Sequence, residues 1–277
     1  MLLNKFIGGT NYISVSKFIN KLYDKSIIPI IDYAKEGSKT KYDVINYNNE
    51  ICSLISRVNN DNNNNSIGYA LKLSSFYPYN AEENIDNIIN KIINTNHLNK
   101  YIYFDAEYTN NFDKENFIFD KLIKKYENID NLYLFKTYQM YKKNSLNHIE
   151  NDLRKFDKIG FKLVRGAYYN KNDNSLFKNK KDTDINYNKA IELLINTTNN
   201  KICIATHNEK SINYALSLKH ADNVYYAQLL GMGDKSTELL LNNNKNVFKY
   251  VPYGSIFDMY PYLLRRLYEN YHIIKYL

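Results

Sequence analysis

The chain has 277 residues and a formal net charge of +8, from 37 Lys and Arg against 29 Asp and Glu. Its two cysteines, Cys52 and Cys203, lie far apart and in no CxxC or Cys/His spacing, which excludes a disulfide scaffold and a Cys-based zinc site and fits a reducing compartment. No apolar run reaches bilayer length, and the opening MLLNKFIGGTN has the pattern of neither a secretory signal nor a transit peptide, so a soluble globular chain with one sizeable core is expected.

Short β-branched and aromatic runs bounded by polar breaks recur along the chain. They are IIPIIDYA (27–34), IGYALKLS (67–74), YIYFDAEY (101–108) and NLYLFKTYQ (131–139), then GFKLVRGAYY (160–169), KICIATHN (201–208), NVYYAQLLGM (223–232) and VFKYVPYG (247–254). Amphipathic, helix-like stretches such as EENIDNIINKIINT (82–95) and NKAIELLINTT (188–198) lie between them. Strands that alternate with helices predict right-handed βαβ units and a parallel sheet. Eight such units match the size of an α/β chain folded as a (β/α)8 TIM-type barrel, which takes about 250 residues. A doubly wound open sheet is the alternative, but no GxGxxG follows the first strand. The Asn-rich tracts 59–65 and 242–246 read as solvated loops rather than domain boundaries, so residues 1–277 are expected to form a single barrel domain.

Each run is apolar at first and ends in a polar group. The ends are Asp32, Lys72, Asp105 with Glu107, Gln139, Arg165, Thr206-His207-Asn208, the Gly231–Asp234 turn and Tyr250. In a barrel all carboxyl ends open on one face, where active sites are built. Any one of these residues can instead cap a helix or make a turn, as expected of Asp234 and equally open for Asp32. All of them together on one rim argue for a reaction. The final stretch, 257–277, reads as a helix lying over that carboxyl-end face. It carries Leu263, Leu267 and Ile274 on one stripe, and Tyr262, Arg266 and Glu269 on another with Arg265 at its flank. An arginine pair backed by an aromatic ring grips a carboxylate well, though Arg–Glu spacing on a solvated helix explains the same pattern.

These motifs resemble a known family. FIGGTN (6–11), SIIPIIDYAKEG (26–37), ALKLSS (70–75), FDAEY (104–108), TYQMY (137–141), KLVRGAYY (162–169), DTDINYN (182–188), IATHN (204–208), AQLLGMGD (227–234), YVPYG (250–254) and PYLLRRLYEN (261–270) fall in the order seen in the catalytic barrel of proline dehydrogenase. That enzyme uses FAD to oxidise L-proline to 1-pyrroline-5-carboxylate. The resemblance implies that Lys72, Arg265 and Arg266 hold the substrate carboxylate, while Tyr250, Tyr262, Leu229 and Ala167 enclose the ring. Asp105, Lys162 and Arg165 would stand at the catalytic face, with Asp105 either holding Lys72, shaping the pocket or capping its strand.

For the flavin the resemblance points to Gln139, Lys162, Val164, Arg165, Gly166, Ala167, Tyr168, Thr183, Thr206, His207, Asn208, Arg266 and Glu269. Glu269 would also orient the arginines. No metal is expected, since the five histidines never pair with carboxylates at ligand spacing. The implied chemistry is hydride transfer from the carbon beside a neutral ring nitrogen to flavin N5, with electrons passing on to a membrane quinone. A transient membrane-surface contact suits the basic charge.

Two departures stand out. Lys162 occupies a position where bacterial members carry Arg, and the KLVRGAY form looks like that of eukaryotic relatives. Those relatives have a long N-terminal region with a presequence, whereas this chain begins almost at the barrel. The matrix side of the inner mitochondrial membrane is the expected location if the chain is eukaryotic, and a membrane-associated cytoplasmic one otherwise. Rival readings are a hydroxyproline dehydrogenase of the same family, an aldolase-like barrel using Lys72 or Lys162 as a Schiff-base nucleophile, and a nucleic-acid binder. The last is disfavoured because the lysines are scattered rather than striped.

Overall fold

The computed structural model describes residues 5–35, 37–61, 65–77, 79–107, 112–218, 222–255, 257–260 and 263–264. Eight parallel strands close on themselves, each paired with the next and the last with the first. They are β1 (Ile28–Tyr33), β2 (Ile67–Lys72), β3 (Lys100–Asp105), β4 (Leu132–Gln139), β5 (Gly160–Val164), β6 (Ile202–Ala205), β7 (Val224–Leu229) and β8 (Asn246–Tyr253). All eight runs expected from the sequence are strands. Helix α1 (Tyr12–Tyr23) precedes the barrel. The crossovers are α2 (Lys41–Asp61), α3 (Ala81–Ile93), α4 (Phe112–Tyr126), α5 (Ser145–Lys155), α6 (Lys180–Thr197), α7 (Glu209–Ser217) and α8 (Asp234–Asn242). None is long and apolar enough to cross a membrane among the described residues.

The period-two alternation of the strands sorts their side chains into two cores. Ile31, Tyr69, Leu71, Ile102, Phe104, Leu134, Phe161, Leu163, Tyr226 and Val251 face outward and bury the apolar stripes of the helices. Ile30, Ala70, Tyr101, Tyr103, Phe135, Cys203, Tyr225, Ala227, Phe248 and Tyr250 fill the interior. The interior is aromatic rather than aliphatic: Tyr103 stacks on Phe135 with ring centroids 4.5 Å apart, and Tyr101 meets Tyr225 at 5.6 Å. Bulk of this kind plugs the barrel's lower half, and the main cavity opens at the carboxyl-terminal mouth.

The Asn-rich tracts differ from the solvated-loop expectation at their edges. Residues 59–61 still belong to α2, and Asn242 and Asn246 end α8 and begin β8 around a short turn. Helix α1 carries no strand-like signal; it is fixed by the reciprocal capping of Asn11 and Ser14 and buries Val15, Ile19 and Leu22. Beyond β8, residues 257–260 and 263–264 are helical, and Ser255 Oγ accepts from the Asp258 N–H at 3.2 Å. Met259 and Leu263 pack on Ala34, just past β1. The terminal segment therefore begins beside the carboxyl-end face, and the rest of the helix expected over 257–277 lies outside the described residues.

Candidate active site

The phase of the interior core dictates which side chains face the mouth. Two residues beyond Ile30, Ala70 and Tyr103 stand Asp32, Lys72 and Asp105; beyond Phe135 come Thr137 and Gln139. On β5 the outward Phe161 and Leu163 leave Lys162 and Val164 inward, and Ala205, Leu229 and Tyr250 share that phase on β6, β7 and β8. These residues line one cavity of about 1050 Å³, open mouth included, together with Ala106, Glu107, Arg165, Gly166, Ala167, Tyr168, Thr206, His207, Ala227 and Gln228.

Two ion pairs occupy the floor. Lys72, only 4 % exposed, pairs with Asp32, and its Nζ also donates to the Tyr33 carbonyl at 3.1 Å. Burial alone would lower the Lys72 pKa, but the Asp32 charge, helped by Tyr47 and Asp105, raises it above its ordinary value. An ammonium has three donors; among the described residues Asp32 and the Tyr33 carbonyl take two of them. Across the mouth Lys162 donates to Asp105 Oδ1 at 2.6 Å and to the Tyr250 hydroxyl at 2.5 Å, and Tyr250 donates to Asp105 at 3.2 Å. The three groups form a closed hydrogen-bonded ring, with the Lys162 ammonium 4.5 Å from the Tyr250 ring centroid. Burial, followed by the Asp105 charge, pushes the Tyr250 pKa well up, so the phenol keeps its proton.

The segment after β5 holds a third cation in a fixed frame. Arg165 donates from Nε to Asp184 (2.6 Å), from Nη1 to Thr206 (2.5 Å) and from Nη2 to Ser211 (2.9 Å), and it lies 4.4 Å over the Tyr187 ring. All three guanidinium nitrogens are anchored, so the charge stays beside the cavity without the freedom to follow a ligand. Gly166 has φ 124°, and a Cβ there would run into the Tyr141 ring. The glycine is therefore required by the turn itself, whatever approaches it from the cavity. Tyr141 donates to Gln139 Oε1 at 3.3 Å, and His207 Nε2 accepts from the Leu229 N–H at 3.2 Å.

Of the residues expected from the sequence, the fold brings Lys72, Asp105, Gln139, Lys162, Val164, Arg165, Gly166, Ala167, Tyr168, Thr206, His207, Leu229 and Tyr250 to one cavity. Thr183 and Asn208 are not in its lining: Thr183 is buried in the first turn of α6, and Asn208 caps α7 by accepting from the Ser211 N–H. Tyr262, Arg265, Arg266 and Glu269 lie outside the described residues. Of the three readings open for Asp105, the direct hold on Lys72 is not the one seen: Lys72 pairs with Asp32, two positions beyond Ile30 on the adjacent strand, and Asp105 lines the cavity. The sequence reading also passed over Thr137, Asp184 and Ser211. Strand phase finds Thr137; Asp184 and Ser211 sit on helices, where no local pattern marks them as partners of Arg165.

The sequence profile described as "Proline dehydrogenase" matches residues 15–275. Proline dehydrogenase 1, mitochondrial, of Dictyostelium discoideum is 34 % identical over 164 residues, which is 50 % of this chain and 29 % of that protein. Hydroxyproline dehydrogenase of Mus musculus is 30 % identical over 167 residues, 52 % of this chain and 37 % of its own length. This chain therefore aligns with well under half the length of either relative. Among solved structures, proline utilization A from Bdellovibrio bacteriovorus inactivated by N-propargylglycine superposes with a TM-score of 0.84 at 16 % identity, over 96 % of this chain and 32 % of that one. That likeness is one of fold, a closed eight-stranded parallel barrel. The profile match runs through nearly all of the barrel just described, and the chain belongs to the proline dehydrogenase family.

Proposed function

We propose that the chain oxidises L-proline to 1-pyrroline-5-carboxylate with FAD as the cofactor, and that electrons pass on to a membrane quinone as the first step of proline degradation. The observation that carries this reading is the convergence of Lys72, Asp105, Lys162 and Tyr250, from strands spread over the sequence, on one cavity at the mouth of the barrel. The residues present fit a flavin. The cavity is large, Ala167 keeps one wall low, and the buried Thr137 hydroxyl in its lining has no partner among the described residues. When bound, FAD would supply the hydride acceptor.

The roles of the described groups are read from their positions, and those of Arg265 and Arg266 from the family motif. The third donor of Lys72, with Arg265 and Arg266 of the terminal motif, receives the substrate carboxylate, and charge-assisted bonds offset the cost of taking that anion out of water. Tyr250 and Leu229 flank the five-membered ring. Lys162 and Arg165 stand beside Gln139, Tyr168, Thr206 and His207, residues that would hold the flavin, and their positive charge would favour its reduced form. Held at one end, the substrate presents the carbon beside its nitrogen at near-attack distance. The nitrogen must be neutral so that its lone pair assists hydride departure.

A Schiff-base mechanism at Lys72 is disfavoured, since an amine nucleophile must shed the proton that Asp32 helps it keep. The relatives named mitochondrial support a mitochondrial place if the host is eukaryotic, and within it the matrix side of the inner membrane is the place proposed. The net charge of +8 suits brief contact with an anionic membrane surface.

The test is an absorption spectrum of the purified protein, taken before and after anaerobic addition of L-proline. A yellow protein whose flavin bands bleach is expected. A colourless protein, or a flavin that proline leaves oxidised, defeats the reading. Faster bleaching by 4-hydroxyproline than by proline would assign the chain to the hydroxyproline branch.

A further inference from the structure

Behind the cavity wall lies a buried amine that this chemistry does not use. Lys249 precedes Tyr250 on β8, so its side chain points the opposite way, out of the barrel, and it is 4 % exposed. Its Nζ donates to the Met232 carbonyl at 2.7 Å and to Gln228 Oε1 at 3.0 Å. Asp234, in the first turn of α8, acts on it through its charge only, and no ion pair to Lys249 forms among the described residues. A lysine fully buried without a paired carboxylate is rare. Its outward neighbours on β8 are Val247 and Val251, which a strand needs only for packing.

The contacts of Lys249 lead back to the cavity. Gln228 Oε1 also accepts from the Thr237 hydroxyl on α8. With its oxygen held twice, the amide has one orientation, and its buried Nε2 has no acceptor among the described residues. That nitrogen lies beside Gly233, where a Cβ would come within 3.1 Å of it and within 2.9 Å of His207 Nδ1. On the cavity side His207 Nε2 accepts from the Leu229 N–H at 3.2 Å. A ring nitrogen that accepts carries no proton, so His207 is neutral with its proton on Nδ1. The Gln228 amide and the His207 Nδ1–H are then both donors, which explains why the amide finds no partner in that direction.

We propose that Lys249 is a positioning residue for the cavity wall. By fixing the Met232 carbonyl and the Gln228 side chain, it sets the Gly231–Gly233 turn and, through it, the His207–Leu229 contact beside the substrate. The kinetic part of the test rests on the proline-oxidation reading, whereas the spectroscopic part does not.

The test compares holoenzyme carrying Lys249→Met or Thr237→Val with wild type, by steady-state kinetics on L-proline and by the nitrogen NMR signals of the His207 ring. In Lys249→Met, KM rises about tenfold with kcat changed less than about twofold, and His207 acquires the Nε2-protonated form as Leu229 lets go. Thr237→Val, which keeps the amine and removes one of the two donors to Gln228, moves both readouts in the same direction by a smaller amount. Wild-type KM and an unchanged His207 signal in Lys249→Met overturn the proposal. Should that variant fail to fold, the same null result in Thr237→Val overturns it. If wild type itself does not turn over proline, the functional reading fails while the His207 signal still decides the role of Lys249.

Discussion

The Asp32–Lys72 pair decides how the floor of the cavity behaves. Both side chains are 5 % exposed, so neither charge is screened by water. Asp32→Ala strands a buried ammonium and is expected to destabilise the fold by about 3–5 kcal/mol, read by denaturant unfolding. Asp32→Leu combined with Lys72→Met removes both charges and should restore most of that loss, because isosteric apolar replacement of a buried pair is close to neutral. Non-additivity between the two sites is the signature; simple addition of the two single effects would show that the pair is not coupled. The ring of Lys162, Asp105 and Tyr250 makes a different prediction. Lys162→Met removes a preorganised positive charge and should lower the rate of substrate-driven flavin reduction by about 10²–10³-fold. The melting temperature should fall less than in Asp32→Ala, since Asp105 is 19 % exposed to water and keeps its hydrogen bond from Tyr250. A loss of folding with no separate effect on rate would assign the ring a structural role alone.

Loops and strands carry the next level of the account. The turn after β5 depends on Gly166, whose φ of 124° and contact with Tyr141 leave no room for a side chain. Gly166→Ala is expected to cost about 1–3 kcal/mol in backbone strain, with a shift of the Tyr141 ring visible in near-ultraviolet circular dichroism. On β8, burial pushes the Lys249 pKa from its ordinary 10.5 down to about 8, partly opposed by Asp234. The folded chain thus holds that proton less tightly than the unfolded chain does. Stability therefore rises between about pH 8 and the unfolded value, by at most about 1.4 kcal/mol per pH unit for one proton. In Lys249→Met that share of the slope disappears from the difference between the two unfolding curves. Asp234, in the first turn of α8, is the charged group that acts on this amine. Equal slopes in variant and wild type would show that Lys249 is not buried as a cation.

At the scale of the molecule, the barrel was legible because eight apolar runs repeat with polar ends, and a parallel sheet of that regularity has few ways to close. The rim was legible for the same reason: Lys72, Asp105, Lys162 and Tyr250 each continue the interior phase of a packed strand. What the sequence did not reveal depends on pairing across strands. Whether Lys72 meets Asp32 or Asp105 is set by register and by the barrel's curvature, and both carboxylates end neighbouring strands. Arg165 looked like a residue aimed at a ligand, yet its partners Asp184 and Ser211 come from two different helices. Lys249 and Gln228 broke the outward apolar pattern of β7 and β8, a local inconsistency that single-strand reading passes over.

We propose that Lys72, at the rim, and Arg266, in the terminal motif, grip the substrate carboxylate in front of a hydride acceptor. Anaerobic titration of flavin bleaching with L-proline, in wild type, Lys72→Met and Arg266→Lys, tests it most directly. The account predicts that the half-saturating proline concentration rises at least about tenfold in each variant, with the flavin still bound and fully reducible at excess substrate. Half-saturation unchanged in both variants would contradict it.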